Sequence, residues 1–420
     1  MKKIESLGKL KKKWEDNLDE VIQFWSKNSI DEEYGGYFTC IDAKGTVLDK
    51  TKIVLTFSIP EKEPTKQGRQ VWTFSRLYID SGNMDFFAVA YTGYKFMHKA
   101  KAADGTLFFS TTQSGEHLHF QRKPYAAVFY SMGLLEFSKA VLKLPKDHEM
   151  KSKLDAKKIK AEAEVYYDKL RAWMADPTLI GGQAADRNTS KLGDVMCICG
   201  LAVDFYEDET DETKKSKYMD IMKDAAKTAK LHYSTEHKVF MENALLEKGL
   251  DFSTPAGRLC NPGHSIEVSW FLLHLNKYIH DERLQVIALE GLLGTLDLGY
   301  DKKHGGITYM LDILNMPLMD ATVTAENKLW WPMSEALYAT ILAFEHTNDT
   351  VFYDWCLKLW ECIEDKFIDK VNGGDWFGYL RKDCTVFNQL KGGNYKGCFH
   401  VPRALIYSIS SADRIIKASQ

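Results

Sequence analysis

The chain has 420 residues, 45% of them hydrophobic and 27% charged, the profile of a globular protein with a sizeable core. Its formal net charge is -3 and no long basic stretch lies beyond the N-terminus, which argues against nucleic acid as a main partner, because phosphate binding needs a concentrated basic face. No stretch reaches the roughly 18 apolar residues of a membrane span and the N-terminus has no secretory apolar run, so a cytoplasmic protein with no membrane partner is expected.

The first element is a helix over about 5–29. The lysine run Lys9 to Lys13 reads as its solvated face, since Trp14, Leu18, Ile22 and Trp25 recur at helical spacing in the same segment. It ends at Asp31-Glu-Glu-Tyr-Gly35-Gly36-Tyr37, a pattern echoed at Asp301 to Ile307 (Gly305-Gly306) and at Asp369 to Asp375 (Gly373-Gly374). The interval between the first two copies is close to four times that between the last two, and weaker punctuation fills the gaps at Asp104-Gly105, Asp176 to Gly182 and Thr235 to Asn243. Six units result. In each, a first helix ends at Gly-Gly or a substitute, a short hairpin follows, and a second helix begins.

First helices are expected at about 5–29, 83–102, 147–174, 212–233, 281–297 and 349–368, and second helices at about 67–80, 124–143, 190–207, 262–279, 329–346 and 396–418. The second helices are apolar nearly all round, as in Val268 to Leu273 and Ala336 to Leu342, and so are buried. Six such pairs imply an all-α (α/α)6 barrel in one domain over 1–420, with short β-hairpins at one rim. Between the first hairpin and the second helix, Pro60, Pro64 and mixed charge predict an exposed inserted loop at about 54–66, near the mouth of the pocket. The eight cysteines are scattered with no C-x-x-C pair, consistent with a reduced compartment.

Chemistry is expected where second helices begin, because their N-termini carry free N–H groups and partial positive charge. Four segments place ionisable residues there: Gln67-Gly-Arg69-Gln-Val-Trp72, Asn261-Pro-Gly-His264-Ser-Ile-Glu267, Lys328-Leu-Trp-Trp331-Pro-Met-Ser-Glu335 and Lys396-Gly-Cys-Phe-His400-Val-Pro-Arg403; Arg122, beside Pro124, opens a fifth. His264 and Glu267 lie three apart and share a helix face, as do His400 and Arg403, so a carboxylate is expected to orient His264 while His400 stays neutral beside its arginine. Each feature alone also fits a plain structural role: Gly68 and Gly263 as turn terminators, Trp330 and Trp331 as core, Lys328 as a surface cation. Trp331 equally suits the C–H face of a sugar. His117 and His119 form an H-x-H without a third ligand, and no metal site is expected. His98, His148, His232, His237, His274, His280 and His346 read as ordinary residues in polar or helical surface contexts.

These segments, together with Glu33 to Cys40, Trp270 to Leu273, Trp376 to Tyr379 and Lys391 to Gly393, span nearly the whole chain and resemble the N-acylglucosamine 2-epimerase family, also described as renin-binding protein. The resemblance implies the (α/α)6 barrel and interconversion of N-acetylglucosamine and N-acetylmannosamine, a small-molecule amino sugar. It implies His264 and His400 as the acid/base pair, and Arg69, Glu267, Glu335 and Arg403 as groups that bind or polarise the sugar; Trp331, Lys328 and Arg122 are further substrate-binding candidates from their places at the starts of second helices. It also implies a homodimer, stimulation by ATP or a related nucleotide that is not consumed, and binding of a renin-like protease. No P-loop locates a nucleotide site. The chain departs from the family's usual pattern in the longer stretch Ile53 to Lys66, in Ala126-Ala127 where Ser-Glu is usual, and in Met333 where a histidine often follows Trp-Trp-Pro. Two rival readings are an inverting glycoside hydrolase using Glu267 and Glu335, and a binding protein without catalysis.

Overall fold

The computed structural model describes residues 2–48, 62, 64–120, 123–182, 188–318 and 325–420. In chain order its helices are α1 (Lys2–Asn28), α2 (Pro64–Ser81), α3 (Met84–Met97), α4 (Tyr125–Lys143), α5 (Met150–Lys153), α6 (Ala156–Ala175), α7 (Leu192–Asp208), α8 (Glu212–His232), α9 (Pro255–Arg258), α10 (Pro262–Ile279), α11 (Glu282–Gly299), α12 (Trp330–Thr347), α13 (Thr350–Cys362) and α14 (His400–Ala418). Leaving out the single turns α5 and α9, these are the twelve helices expected, alternating as first and second members of pairs. The differences are local. The helix expected at 147–174 breaks before Asp155, whose carboxylate accepts from the N–H groups of Lys157 and Lys158 and starts α6 afresh. Residues 396–399 precede α14 rather than belonging to it.

First members start alike. Asn83, Asp155, Asp211, Asp281 and Asp349 each cap a helix through the side chain, satisfying N–H groups that have no partner inside the helix. Second members enter differently. The strand Thr189–Lys191 leads straight into α7 and the strand Lys328–Leu329 straight into α12.

The residues form two compact units, one of 1–19, 188–389 and 403–420, the other of 20–187 and 390–402. In the first unit, α10 packs against α7, α11 and α12, and α12 packs against α13. Every residue from Pro332 to Phe344 of α12 is buried, which is why its sequence shows no polar stripe. In the second unit, α2 packs against α3 and α4, and α4 against α6. The α2–α4 crossing depends on Gly68: a Cβ there would lie 2.0 Å from the carbonyl oxygen of Phe129, and one at Gly133 2.7 Å from that of Gly68. Gly68 therefore lies inside a helix and permits close packing; it does not terminate a turn.

The Gly-Gly repeat is a repeat of structure. In all three copies both glycines have positive φ, between 68° and 83°. In all three the leading aspartate accepts through Oδ1 from the second and third N–H groups beyond it. Two copies add a buried lysine. Lys62 Nζ lies 2.6 Å from Asp31 Oδ2, and Lys328 Nζ 3.0 Å from Asp301 Oδ2. The expected exposed loop is corrected at its far end. Lys62 is buried in this ion pair and bridges to Thr111, and Pro64 already opens α2; residues 54–61 and 63 lie outside the described residues.

Candidate functional site

The N-terminus of α10 is built by Asn-Pro-Gly-His. Asn261 is the cap and accepts from the His264 N–H at 3.3 Å, Pro262 takes the first helical position, where a missing N–H costs nothing, and His264 sits in the first turn. Gly263 is needed for packing, since a Cβ there would lie 2.3 Å from the Trp331 ring. The Trp331 ring stands 5.2 Å from that of His264, tilted by 42°. Its neighbour Trp330 is buried against Tyr379, so the tandem tryptophans divide into one core residue and one that is partly exposed beside a histidine.

The His264 side chain is 27% exposed, and its Nδ1–H donates to Glu242 Oε2 at 2.8 Å. Burial by itself would lower the histidine's pKa; the charge and hydrogen bond of Glu242 outweigh it, Glu267 and Asp194 add to them, and the pKa is raised. The expectation that Glu267 orients His264 is therefore corrected. Glu242 lies on no helix and shows no motif, and its signal in the sequence was weak: an acidic residue at the end of the short apolar run Val239 to Met241.

Glu267 belongs to a second cluster. Arg403 Nη2 donates to Glu267 Oε1 at 2.7 Å and to Glu335 Oε1 at 2.6 Å, and Trp270 Nε1 donates to Glu335 Oε2 at 3.0 Å. All four residues are buried. Burial pushes the Glu335 carboxyl up and Arg403 only partly reverses this, while the two carboxylates raise the guanidinium against its own burial. An inverting hydrolase needs carboxyl groups roughly 6.5–9.5 Å apart with water between them. Two carboxylates each within 2.7 Å of a single arginine nitrogen do not provide that separation.

In the second unit, Arg69 and His400 meet one aromatic cluster. The Arg69 guanidinium lies 3.5 Å from the centre of the Phe129 ring and 5.8 Å from that of Phe399. Phe399 packs edge-on against Trp72 and lies 5.2 Å from the His400 ring. Thr73 Oγ1 donates to the Cys398 carbonyl at 2.8 Å, tying the segment before His400 to α2. Lys328 is 1% exposed and spent on Asp301, so the structure gives this substrate-binding candidate an internal partner. Arg122 lies outside the described residues. One histidine expected at the surface is not there: His232 is fully buried. His274 is half-buried and packs against the rings of Trp270, Tyr338 and Tyr407.

The sequence pattern of the family described as N-acylglucosamine 2-epimerase (GlcNAc 2-epimerase) matches residues 36–404. The chain belongs to that family. It is 30% identical over 418 residues to N-acylglucosamine 2-epimerase of Mus musculus, covering 96% of this chain and 92% of that one. Solved structures extend the likeness at lower identity. A D-mannose isomerase superposes with a TM-score of 0.76 at 18% identity, over 95% of this chain and 97% of the other. The cellobiose 2-epimerase of Bacillus thermoamylovorans B4167 does so with a TM-score of 0.75 at 16% identity, over 96% and 99%. The fold is the (α/α)6 barrel, and the chain is a carbohydrate epimerase. Among the described residues no helix is long and apolar enough to cross a membrane.

Proposed function

We propose that the chain interconverts N-acetyl-D-glucosamine and N-acetyl-D-mannosamine by removing and returning the C2 proton of the open-chain sugar, with His264 and His400 as the proton-transfer groups. The C2–H bond is weakly acidic because its electron pair can pass to the adjacent carbonyl oxygen as an enolate. A neutral imidazole takes the proton from one face and an imidazolium returns one to the other; neither step requires a redox change. The observation that supports this best is the setting of His264. Its Nδ1 is occupied by Glu242, its ring stands 5.2 Å from the tilted ring of Trp331, and it sits in the first turn of α10. Family membership supports the reaction class, and a curated relative of that name supports the 2-acetamido sugar. In this reading Trp331 takes the apolar face of the sugar, and Arg69, Glu267 and Arg403 its polar groups. Glu335 holds Arg403 in place.

Purified protein should convert N-acetylmannosamine to N-acetylglucosamine and, in heavy water, place deuterium at C2 of the product from either epimer. Product free of deuterium at C2 rules out exchange through a side chain. Turnover of cellobiose with none of the acetamido sugar would reassign the substrate, and tight sugar binding without turnover would favour the binding-protein reading. Running the assay with and without ATP tests the nucleotide as an activator that is not consumed. A homodimer belongs to the same proposal and is tested by light scattering.

A further inference from the structure

Three carboxylates act on His264, those of Glu242, Glu267 and Asp194, and the one that spacing favours is engaged elsewhere, because Glu267 Oε1 accepts from Arg403 at 2.7 Å. On the reading of His264 as a proton-transfer group, we infer that Glu242 is a positioning residue: it holds the His264 ring by Nδ1–H, so that Nε2 alone exchanges a proton with the substrate.

The support behind Glu242 is built into the fold. Its N–H donates to the Leu259 carbonyl at 2.9 Å and its carbonyl accepts from the Leu192 N–H at 2.9 Å, so its backbone is held from both sides. The adjoining strand Asn243–Leu245 pairs antiparallel with Thr189–Lys191, with Lys191 opposite Asn243 and Ser190 opposite Ala244. The residue before Glu242 is clamped as well. Buried His232 donates through Nδ1–H to the Met241 carbonyl at 2.8 Å, and its Nε2 accepts from Ser190 Oγ at 2.8 Å. Burial lowers the His232 pKa, which keeps this ring neutral and its two bonds of fixed sense. His232 thus ties α8 and both strands to the turn that presents Glu242.

A second hydrogen bond on an imidazole decides which nitrogen carries the proton and how the ring is turned. A carboxylate at Nδ1 leaves the Nε2 lone pair free in the neutral ring. When Nε2 takes the C2 proton, an N–H bond forms as the C–H bond breaks and the electron pair moves to the carbonyl oxygen; Glu242 keeps its hydrogen bond to Nδ1–H and stabilises the imidazolium. The charged groups facing the ring are Glu242, Glu267 on the same helix and Asp194 from the first turn of α7, while α12 contributes the apolar Trp331. All three charges favour the imidazolium, and among the described residues only Glu242 is hydrogen-bonded to the ring.

The test is nitrogen NMR of the full-length protein with labelled histidines, His264 being assigned by its loss in His264→Asn. The neutral His264 ring should carry its proton on Nδ1; a proton on Nε2 overturns the inference and needs no further variant. In Glu242→Gln the His264 titration midpoint should fall and the acid limb of kcat should move to lower pH with it. The value of kcat should drop roughly 10- to 100-fold, as for loss of an orienting partner, with KM little changed. Glu242→Asp should recover part of the loss. A folded Glu242→Gln protein with unchanged midpoint and kcat overturns the inference. If that variant does not fold, the wild-type proton position and Glu242→Asp decide. Full epimerisation by His264→Asn would instead overturn the parent reading and leave the NMR result standing.

Discussion

Helix α10 carries one histidine in its first turn and another in its last third, and the two behave oppositely. His264, in the first turn, has its pKa raised because Glu242, Glu267 and Asp194 outweigh the effect of burial. His274, in the last third, has its pKa pushed well down, first by burial and then by Lys277, His346, Arg414 and Arg403. Its Nε2 meets the Tyr338 hydroxyl at 2.6 Å inside an aromatic cage. One helix thus holds a histidine poised to change charge and another held neutral. The difference lies in which neighbours tertiary packing supplies, since both are imidazoles on one continuous helix.

Arg403 and Glu267 stand between these ends, and breaking their cluster should have the largest effect. Arg403→Met leaves two buried carboxylates without their cation, and a loss of about 3–5 kcal/mol of stability is expected, read from urea unfolding at pH 7. The same change removes one of the charges holding His274 neutral, so its titration midpoint should rise. A stability within error of the parent would show that the cluster is not structural.

The two histidines should separate next. His264→Asn should lower epimerisation at least about 10²-fold while leaving the thermal transition close to that of the parent. His274→Phe should do the reverse, leaving turnover near the parent value and costing roughly 1–3 kcal/mol, because the Tyr338 hydroxyl loses its partner. Equal effects of both on both measurements would erase the distinction.

Gly263→Ala tests the tryptophan wall of the poised end. The new methyl would have to displace the Trp331 ring, at a cost of about 1–3 kcal/mol for overpacking. A raised KM for the sugar is expected, and a crystal structure of the variant would show the ring moved. An unmoved ring and unchanged KM would remove Trp331 from the substrate wall.

The smallest effects are in the pH dependence of stability, and they have opposite signs. The folded pKa of His264 lies above its ordinary value of 6.5, so its contribution is complete below that pH and is lost as pH rises through the folded pKa. The folded pKa of His274 lies well below 6.5, so its contribution is present above 6.5 and is lost as pH falls toward the folded pKa. Urea unfolding across pH 5 to 8 should therefore show a flatter alkaline side for His264→Asn and a flatter acid side for His274→Phe. Slopes changed in the same direction would contradict the assignment.

The helices were legible because their signals are local. Asn83, Asp155, Asp211, Asp281 and Asp349 cap helices over a span of two or three residues. The three Asp-to-Gly-Gly turns each close within one short segment, and the even burial of α12 appears directly as a stretch that is apolar nearly all round. The start of α10 could be read in the same way, since Asn261, Pro262 and His264 act within one turn.

The partners of the charged residues could not be read locally. Lys328 looked like a surface or substrate-binding cation and is closed onto Asp301 in the interior; Glu267 stood three residues from His264 but turns to Arg403; Gly68 looked like a turn and is a helix crossing. His232 looked ordinary because nothing in its flanking residues reports burial, and His274 because nothing there reports its aromatic neighbours. A helix face offers several neighbours within reach, and the choice among them depends on charges brought from distant segments and on how much water each group loses. Local sequence therefore settled where helices start, stop and bury themselves, because those are short-range matters of hydrogen bonding and apolar periodicity. The carboxylate that holds His264, and the protonation of every buried histidine, were decided only when strands and helices far apart in the chain packed together.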